Sequence, residues 1–524
     1  MIREMKSDVV IIGGSLGGCA AALAIARLGK RVILTEETDW IGGQLTSQAV
    51  PPDEHRWIEQ FGCTRSYRQF RNGVRQYYRD HYPLTPEARS NLLLNPGNGG
   101  VSRLCHEPRV ALAVLQQMMA PYVHSGRITI WTRHQMEATQ TEQDNIVSVT
   151  VKNMVSGHRI ELVAPYVLDA TECGDLLPLA RVEYVTGAES QSETGEPSAV
   201  AGEAQPMNMQ GFTYCFAMDY IEGGHYTIDK PEQYDFWRGY APAFWPGPLL
   251  NWTAPEPRNL EPREYTLLPG TDKYSLFYYR SLIDRSQFAP GTYPGDISLV
   301  NWPQNDYFLG PIIDVSEEER NRHLKAAKQL SLSLLYWLQT EAPRQGGGYG
   351  HPELRLRPDV VGTEDGLAMY PYIRESRRIS AEFTVLEQHI SAACRSDGRA
   401  EAYRDSVGIG CYRIDLHPTT AGNNFLDISS LPYQIPLGSL IPVRVNNLLP
   451  ACKNLGVTHL SNSCYRVHPT EWNIGESAGS LAAFCLEKGV KPRDVLRNEA
   501  LLDDFQKLLV SEGVELSWAA VHAV

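Results

Sequence analysis

The sequence lacks any apolar run approaching the roughly 18 residues needed to span a bilayer, which argues against a helical membrane protein. It lacks a basic excess: 48 Lys and Arg stand against 61 Asp and Glu, a formal net charge of −13, with a pI near 5.6. That balance argues against nucleic acid and against an anionic membrane surface as partners. The 10 cysteines are scattered, with no C-x-x-C and no short-spaced Cys/His quartet. Reduced thiols in the cytoplasm are expected, with neither a disulfide framework nor a metal site. No internal repeat or low-complexity tract stands out. The residues before Asp8 lead straight into an apolar run, so no secretory signal is expected.

What is present is concentrated at the start. Val9 to Ile12 read as a buried strand, followed by the Gly-rich turn Gly13, Gly14, Ser15, Leu16, Gly17, Gly18 and an Ala/Leu-rich helix ending at Gly29. Val32 to Thr35 form a second apolar run, which ends in Glu36 and Glu37. This strand–turn–helix–strand unit holds a dinucleotide. Gly13 permits the tight turn and lets backbone approach a pyrophosphate. The helix start at Gly17 and Gly18 offers free N–H groups and a positive dipole end. Glu36 lies where a carboxylate accepts hydrogen bonds from a ribose. Ser15 replaces the middle glycine of the usual G-x-G-x-x-G, and its small side chain still admits a pyrophosphate.

Three regions are expected. Residues 1–204 are the first part of the dinucleotide domain, with an Arg- and Tyr-bearing insertion at 51–104, a helix from Pro108 to about Val123 and a β-meander over about 127–163. Tyr166 to Thr171 read as another buried strand. Residues 205–345 crowd aromatics with prolines, as in Phe244-Trp245-Pro246 and Trp302-Pro303. They suggest a cap closing a pocket, with a helix over 322–340. Residues 346–524 return to the first domain and C-terminal helices. There Leu448 to Ala451 are a short strand, and Gly475, Glu476, Ser477, Ala478 and Gly479 a turn into an apolar helix capped near Gly489.

The N-terminal turn, the strand end at Asp169, Ala170 and Thr171, the C-terminal 475–479 segment and Trp40 to Thr46 together resemble the FAD-dependent oxidoreductases of the glutathione-reductase-like superfamily. That group is related in its flavin domain to succinate dehydrogenase/fumarate reductase flavoproteins. The resemblance implies an α/β fold: a Rossmann-like FAD-binding domain with an inserted mixed α+β substrate or cap domain. It implies that Gly13, Gly14, Ser15, Gly17 and Gly18 cradle the pyrophosphate, with Glu36 and Glu37 at the ribose. Gly42, Gly43 and Gln44 run under the ribityl chain and ring. Asp169, Ala170 and Thr171 lie beside the adenosine–pyrophosphate half, and 475–479 point a helix start at the flavin pyrimidine. No His follows Gly43 where relatives attach flavin covalently, so non-covalent FAD is expected. No second Gly fingerprint and no redox C-x-x-x-x-C appear, which argues against an NAD(P)H domain and against a disulfide reductase.

An oxidising flavoenzyme needs a base near the ring and cations that orient a polar substrate. His468 is the leading candidate because it just precedes the expected flavin-facing turn, with Arg374 as its cationic partner. His417 and His459 are the alternatives. The reaction expected is oxidation or desaturation of a small polar metabolite by hydride transfer to flavin, with electrons passing to oxygen or a separate acceptor. A flavin monooxygenase and a non-catalytic FAD-binding or RNA-associated protein stay open. The sequence names neither the substrate nor the oligomeric state, and it allows a homodimer.

Overall fold

The computed structural model describes residues 3–270 and 274–519. Five short strands, β1 (Val9–Ile12), β2 (Val32–Thr35), β3 (Ile128–Trp131), β4 (Tyr166–Asp169) and β5 (Leu448–Pro450), make a parallel sheet. Their order is β5-β4-β1-β2-β3. Strands β1, β2 and β4 are buried at every residue, which is why each reads as an unbroken apolar run rather than an alternation. Val9 pairs with both Val32 and Tyr166, so Ile12, Thr35 and Asp169 finish level at one edge. The chain leaves β1 toward β2 on one side, and β4 fills the other. That switch point opens a crevice beyond the strand ends, the usual ligand position in such sheets.

Helix α1 (Leu16–Arg27) joins β1 to β2, with Ser15 as its cap, accepting from the Gly18 amide at 3.2 Å. A second helix, α2 (His468–Lys488), lies against it. A Cβ added to Gly475 would sit 2.0 Å from the Gly17 carbonyl oxygen, and one on Gly479 2.6 Å from that of Ala21. The two helices therefore touch backbone to backbone. This corrects one expectation: residues 475–479 are not a turn or a helix start but the middle of α2, which begins at His468 with Pro469 in its first turn. Glycine and serine there serve close packing. Glu476 is buried and pairs with Arg27 of α1 while accepting from Ser66 Oγ at 2.6 Å. Ser477 donates to the Val407 carbonyl.

The cap region forms an antiparallel sheet ordered Ser281–Ile283, Ile297–Val300, Phe216–Tyr220, Leu354–Leu356. Its face bearing Phe216, Met218 and Val300 packs on helix Glu317–Thr340 through Leu330, Leu334 and Trp337. The fourth strand falls beyond residue 345, and isolated bridges Thr213↔Tyr372 and Phe216↔Leu367 carry this layer further along the chain. The meander gains two strands over the expectation, His134–Glu142 and Arg3–Lys6. The 51–104 segment contains helix Arg65–His81, whose polarity is internal: Arg71 and Arg75 are buried against Glu54 and Glu59.

Candidate active site

The expected nucleotide end lies at the C-terminal edge of the parallel sheet. Gly13 has φ +98°, a conformation other residues avoid, and a Cβ there would lie 2.3 Å from the Ala170 carbonyl oxygen. Glu36, at the end of β2, accepts from the Gly14 amide at 2.9 Å and from both the amide and hydroxyl of Thr38. Asp169, at the end of β4, holds Thr171 through its amide and hydroxyl, at 3.0 and 2.7 Å. The second Asp169 oxygen has no protein partner. A cavity of about 260 Å³ opens here, lined by Gly13, Ser15, Glu36, Glu37, Thr171 and Arg320 among others. Burial pushes the Asp169 and Glu37 carboxyls up to about 7, which lessens the repulsion an anionic diphosphate would meet. Gly42, Gly43 and Gln44 close over this turn, with the Gly42 amide donating to the Gly14 carbonyl at 2.7 Å.

A buried polar seam leads inward from that end. Glu471, in the first turn of α2, accepts from the Gly17 amide at 3.1 Å, from Cys452 Sγ at 3.3 Å and from Gln44 Nε2. Glu172, Cys452 and Glu471 converge closely enough to suggest a metal site. The chain supplies the cation itself: Lys453 Nζ pairs with Glu172 and lies 3.5 Å from Glu471. Along the seam many buried polar atoms have no protein partner: Glu172 Oε1, Gln44 Oε1, Gln48 Nε2, Tyr372 Oη, Arg466 Nε and His468 Nε2. Buried polar atoms are rarely left unpaired. Such a series, starting at the nucleotide cavity, fits an elongated polar group laid along it.

The seam ends at a second cavity, of about 540 Å³. Its walls include Tyr265, Tyr274, Tyr279, Trp302, Tyr412 and Phe425, and its polar groups include Arg280 and His417. The link to the seam is direct: Arg280 lies 3.5 Å from Asp53, whose amide donates to His468 Nδ1 at 3.0 Å. Arg466 Nη2 donates to the Asp415 carbonyl, while its own carbonyl accepts from Gln44.

The four expected catalytic residues divide here. His468 stands at the start of α2 beside the seam, but burial drives its imidazole down to about 4, so it is neutral. Its Nδ1 already accepts a hydrogen bond, which leaves a proton on Nε2 and no spare lone pair. The expected cationic pair of His468 and Arg374 is therefore corrected to a neutral donor and an arginine engaged elsewhere. Arg374 Nη1 donates to the Gly211 carbonyl and Thr213, and its Nη2 pairs with Asp306 at 2.9 Å. His417 does reach the large cavity, and its Nδ1 lies 2.5 Å from Asp306 Oδ2. His459 bonds Glu375 at 2.8 Å and lines a different cavity, beside Glu196 and Asn208. Sequence reasoning missed Asp306, Arg280 and Lys453. The run Tyr278-Tyr279-Arg280 offers no spacing that marks the arginine, and Asp306 acquires its role only through residues more than 60 positions away.

A family model described as FAD dependent oxidoreductase matches residues 8–509. No curated protein matches the chain. Among solved structures, the chain is similar to the L-proline dehydrogenase from P. horikoshii, with 16% identity, 36% of this chain and 24% of that one covered, and a TM-score of 0.17. It is similar to the glycerol-3-phosphate dehydrogenase from Bacillus halodurans complexed with FAD, at 13% identity, 41% and 40% coverage and a TM-score of 0.24. It is also similar to p-nitrophenol 4-monooxygenase PnpA from Pseudomonas putida DLL-E4, at 10% identity, 98% and 88% coverage and a TM-score of 0.35. The chain spans about a quarter of the length of the first and two fifths of the second, and none of these similarities bears on the reaction. Among the described residues no helix is long and apolar enough to cross a membrane.

Proposed function

This chain belongs to the FAD dependent oxidoreductase family, and from that premise we propose that it oxidises a small polar metabolite in the 540 Å³ cavity, with His417 as proton acceptor. FAD is its cofactor. The Gly13–Gly18 turn, Glu36 and the unpaired atoms of the seam fit it. Bound FAD supplies an acceptor for two electrons as hydride. We read the FAD as non-covalent and the fold as glutathione-reductase-like, supported by the strand order and by the crevice at the β1–β4 switch point.

The observation that carries the reading is the Asp306–His417 pair. Asp306 is fully buried, and the Arg374 guanidinium beside it, with hydrogen bonds from His417 and Thr213, holds its carboxyl below the usual range. It is therefore ionised and accepts the Nδ1 proton of His417 at 2.5 Å. That hydrogen bond fixes the tautomer in which Nε2 carries a lone pair. Nε2 lies 3.7 Å from Asp415 Oδ2, on a ring that is about one-fifth exposed to the cavity. A substrate hydroxyl or amine placed there would give its proton to Nε2 as the adjacent C–H bond breaks. Asp306 acts as a positioning residue.

The test is anaerobic mixing of the yellow holoenzyme with a panel of metabolites, followed by bleaching of the flavin. With an active compound found, His417→Ala is expected to keep its FAD but slow reduction by about 10²–10⁴-fold. Reduction at near wild-type speed would sink the assignment of His417. Flavin that stays with acid-precipitated protein would overturn non-covalent binding.

A further inference from the structure

The large cavity presents an imbalance of hydrogen-bonding groups that the proposed oxidation alone does not require. Arg280 lies at its inner end, with its guanidinium nearly sealed from solvent. Its contacts are an Asp53 oxygen 3.5 Å from Nη2 and the ring of Tyr279, with the guanidinium carbon 5.3 Å from the centroid. The Nε–H and both Nη1 hydrogens have no partner. Two further buried lining atoms are also unpaired, Asn301 Nδ2 and Trp302 Nε1. The Asn301 amide is oriented by its own bond, since its Oδ1 accepts from Arg374. All of these atoms are donors. Among the described lining side chains no buried acceptor atom is left unpaired.

A buried cation with empty donors is costly unless a partner completes it. The missing partner must supply acceptor oxygens and negative charge without donors of its own. The charge count agrees. The cavity is lined by four arginines against three carboxylates, a lining that favours an anion. A planar carboxylate meets these conditions, and its two oxygens suit a guanidinium. The ring-bearing walls leave room beside it for an apolar or aromatic body.

Building on the reading of this cavity as the substrate pocket, we propose that its inner end is a carboxylate subsite anchored by Arg280, and that the substrate is a carboxylic acid. Asn301 and the indole N–H of Trp302 complete the oxygen contacts. The acid is held by its carboxylate while its oxidised carbon faces the seam and its hydroxyl or amine faces His417.

The probe is benzoate, with benzamide and inorganic phosphate as controls, titrated into the holoenzyme and read from the bound-flavin absorbance. Benzoate is expected to give a saturable shift, and the two controls none over the same range. Arg280→Met should weaken benzoate about 10- to 100-fold at unchanged FAD occupancy, with Arg280→Lys intermediate. Equal binding of benzamide, or benzoate affinity untouched in Arg280→Met, overturns the proposal. So does a variant that shifts the flavin midpoint potential while leaving benzoate affinity as it was, since Arg280 would then serve the cofactor. If Arg280→Met does not fold, Arg280→Lys decides through the same comparison. A preparation that holds no FAD counts against the proposed function instead. Benzoate protection in thermal melting, wild type against variant, then still decides the subsite.

Discussion

At the expected nucleotide end the Gly13 turn and the strand-end carboxylates Glu36 and Asp169 come from two short stretches, residues 13–44 and 169–172. The large cavity presents side-chain cations and rings drawn from residues 256–427. The first arrangement is fixed by how a strand turns into a helix. The second exists only once segments far apart in the chain have been brought together. On the proposed assignment, the start of the cofactor site is set by local backbone and the substrate pocket by long-range packing. Mutations should separate along that line.

The largest effect is expected at the turn. Gly13→Val forces a β-branched residue to φ +98° with its Cβ against the Ala170 carbonyl. The variant should retain no FAD on purification, as read from the ratio of flavin to protein absorbance. Normal occupancy would break the identification of the cofactor end. A smaller loss is expected from Asp306→Asn. FAD should stay bound, flavin reduction by the substrate should slow by roughly 10-fold or more through the wrong His417 tautomer, and the pH profile of that step should change. A uniform rate loss with an unaltered profile would make Asp306 merely structural. Glu36→Gln removes a charged acceptor and should weaken FAD by about 10-fold while leaving reduction of the loaded enzyme at wild-type speed. Slowed reduction at full occupancy would blur the division between the two ends.

The smallest effects concern pH, and they carry opposite signs at the two ends. Burial raises the Asp169 carboxyl to about 7 in the folded protein, against about 3.9 unfolded. Its contribution to stability is full below pH 4 and is lost as pH rises through 7. The stability gap between wild-type apoprotein and Asp169→Asn should therefore narrow over that window. Burial lowers His468 to about 4, against about 6.5 unfolded. Its contribution is full above pH 6.5 and is lost as pH falls toward 4, so the gap to His468→Gln should widen as pH rises. Urea denaturation at stepped pH measures both, and equal slopes would remove the contrast.

The same division explains what could be read in advance. The apolar runs of β1, β2 and β4, Ser15 as a helix cap and Glu36 at a strand end were legible because each depends on neighbours within a few residues. The start of α2 was misplaced for a physical reason. Gly475 and Gly479, spaced by one helical turn, look like a loop, yet in a helix they strip one face so that another backbone can approach. Pro469, a residue suited to a first helical turn, was the available signal. His417 could be named but not ranked, because its value lies in Asp306, more than 100 residues away. Arg280 had no local mark: an arginine's importance here lies in partners it does not have.

The contact between Gly17 and Gly475 has a consequence for how the protein is made. The Gly13–Gly18 turn is translated well before α2 and β5. Yet one face of α1 stays uncovered until α2 has been translated, and β4 has no neighbour on its outer side until β5 arrives. The nascent chain must carry an unfinished sheet edge and a half-covered helix through several hundred codons. On the proposed assignment FAD loads only after α2 and β5 are in place, and chains stalled before residue 440 should emerge colourless.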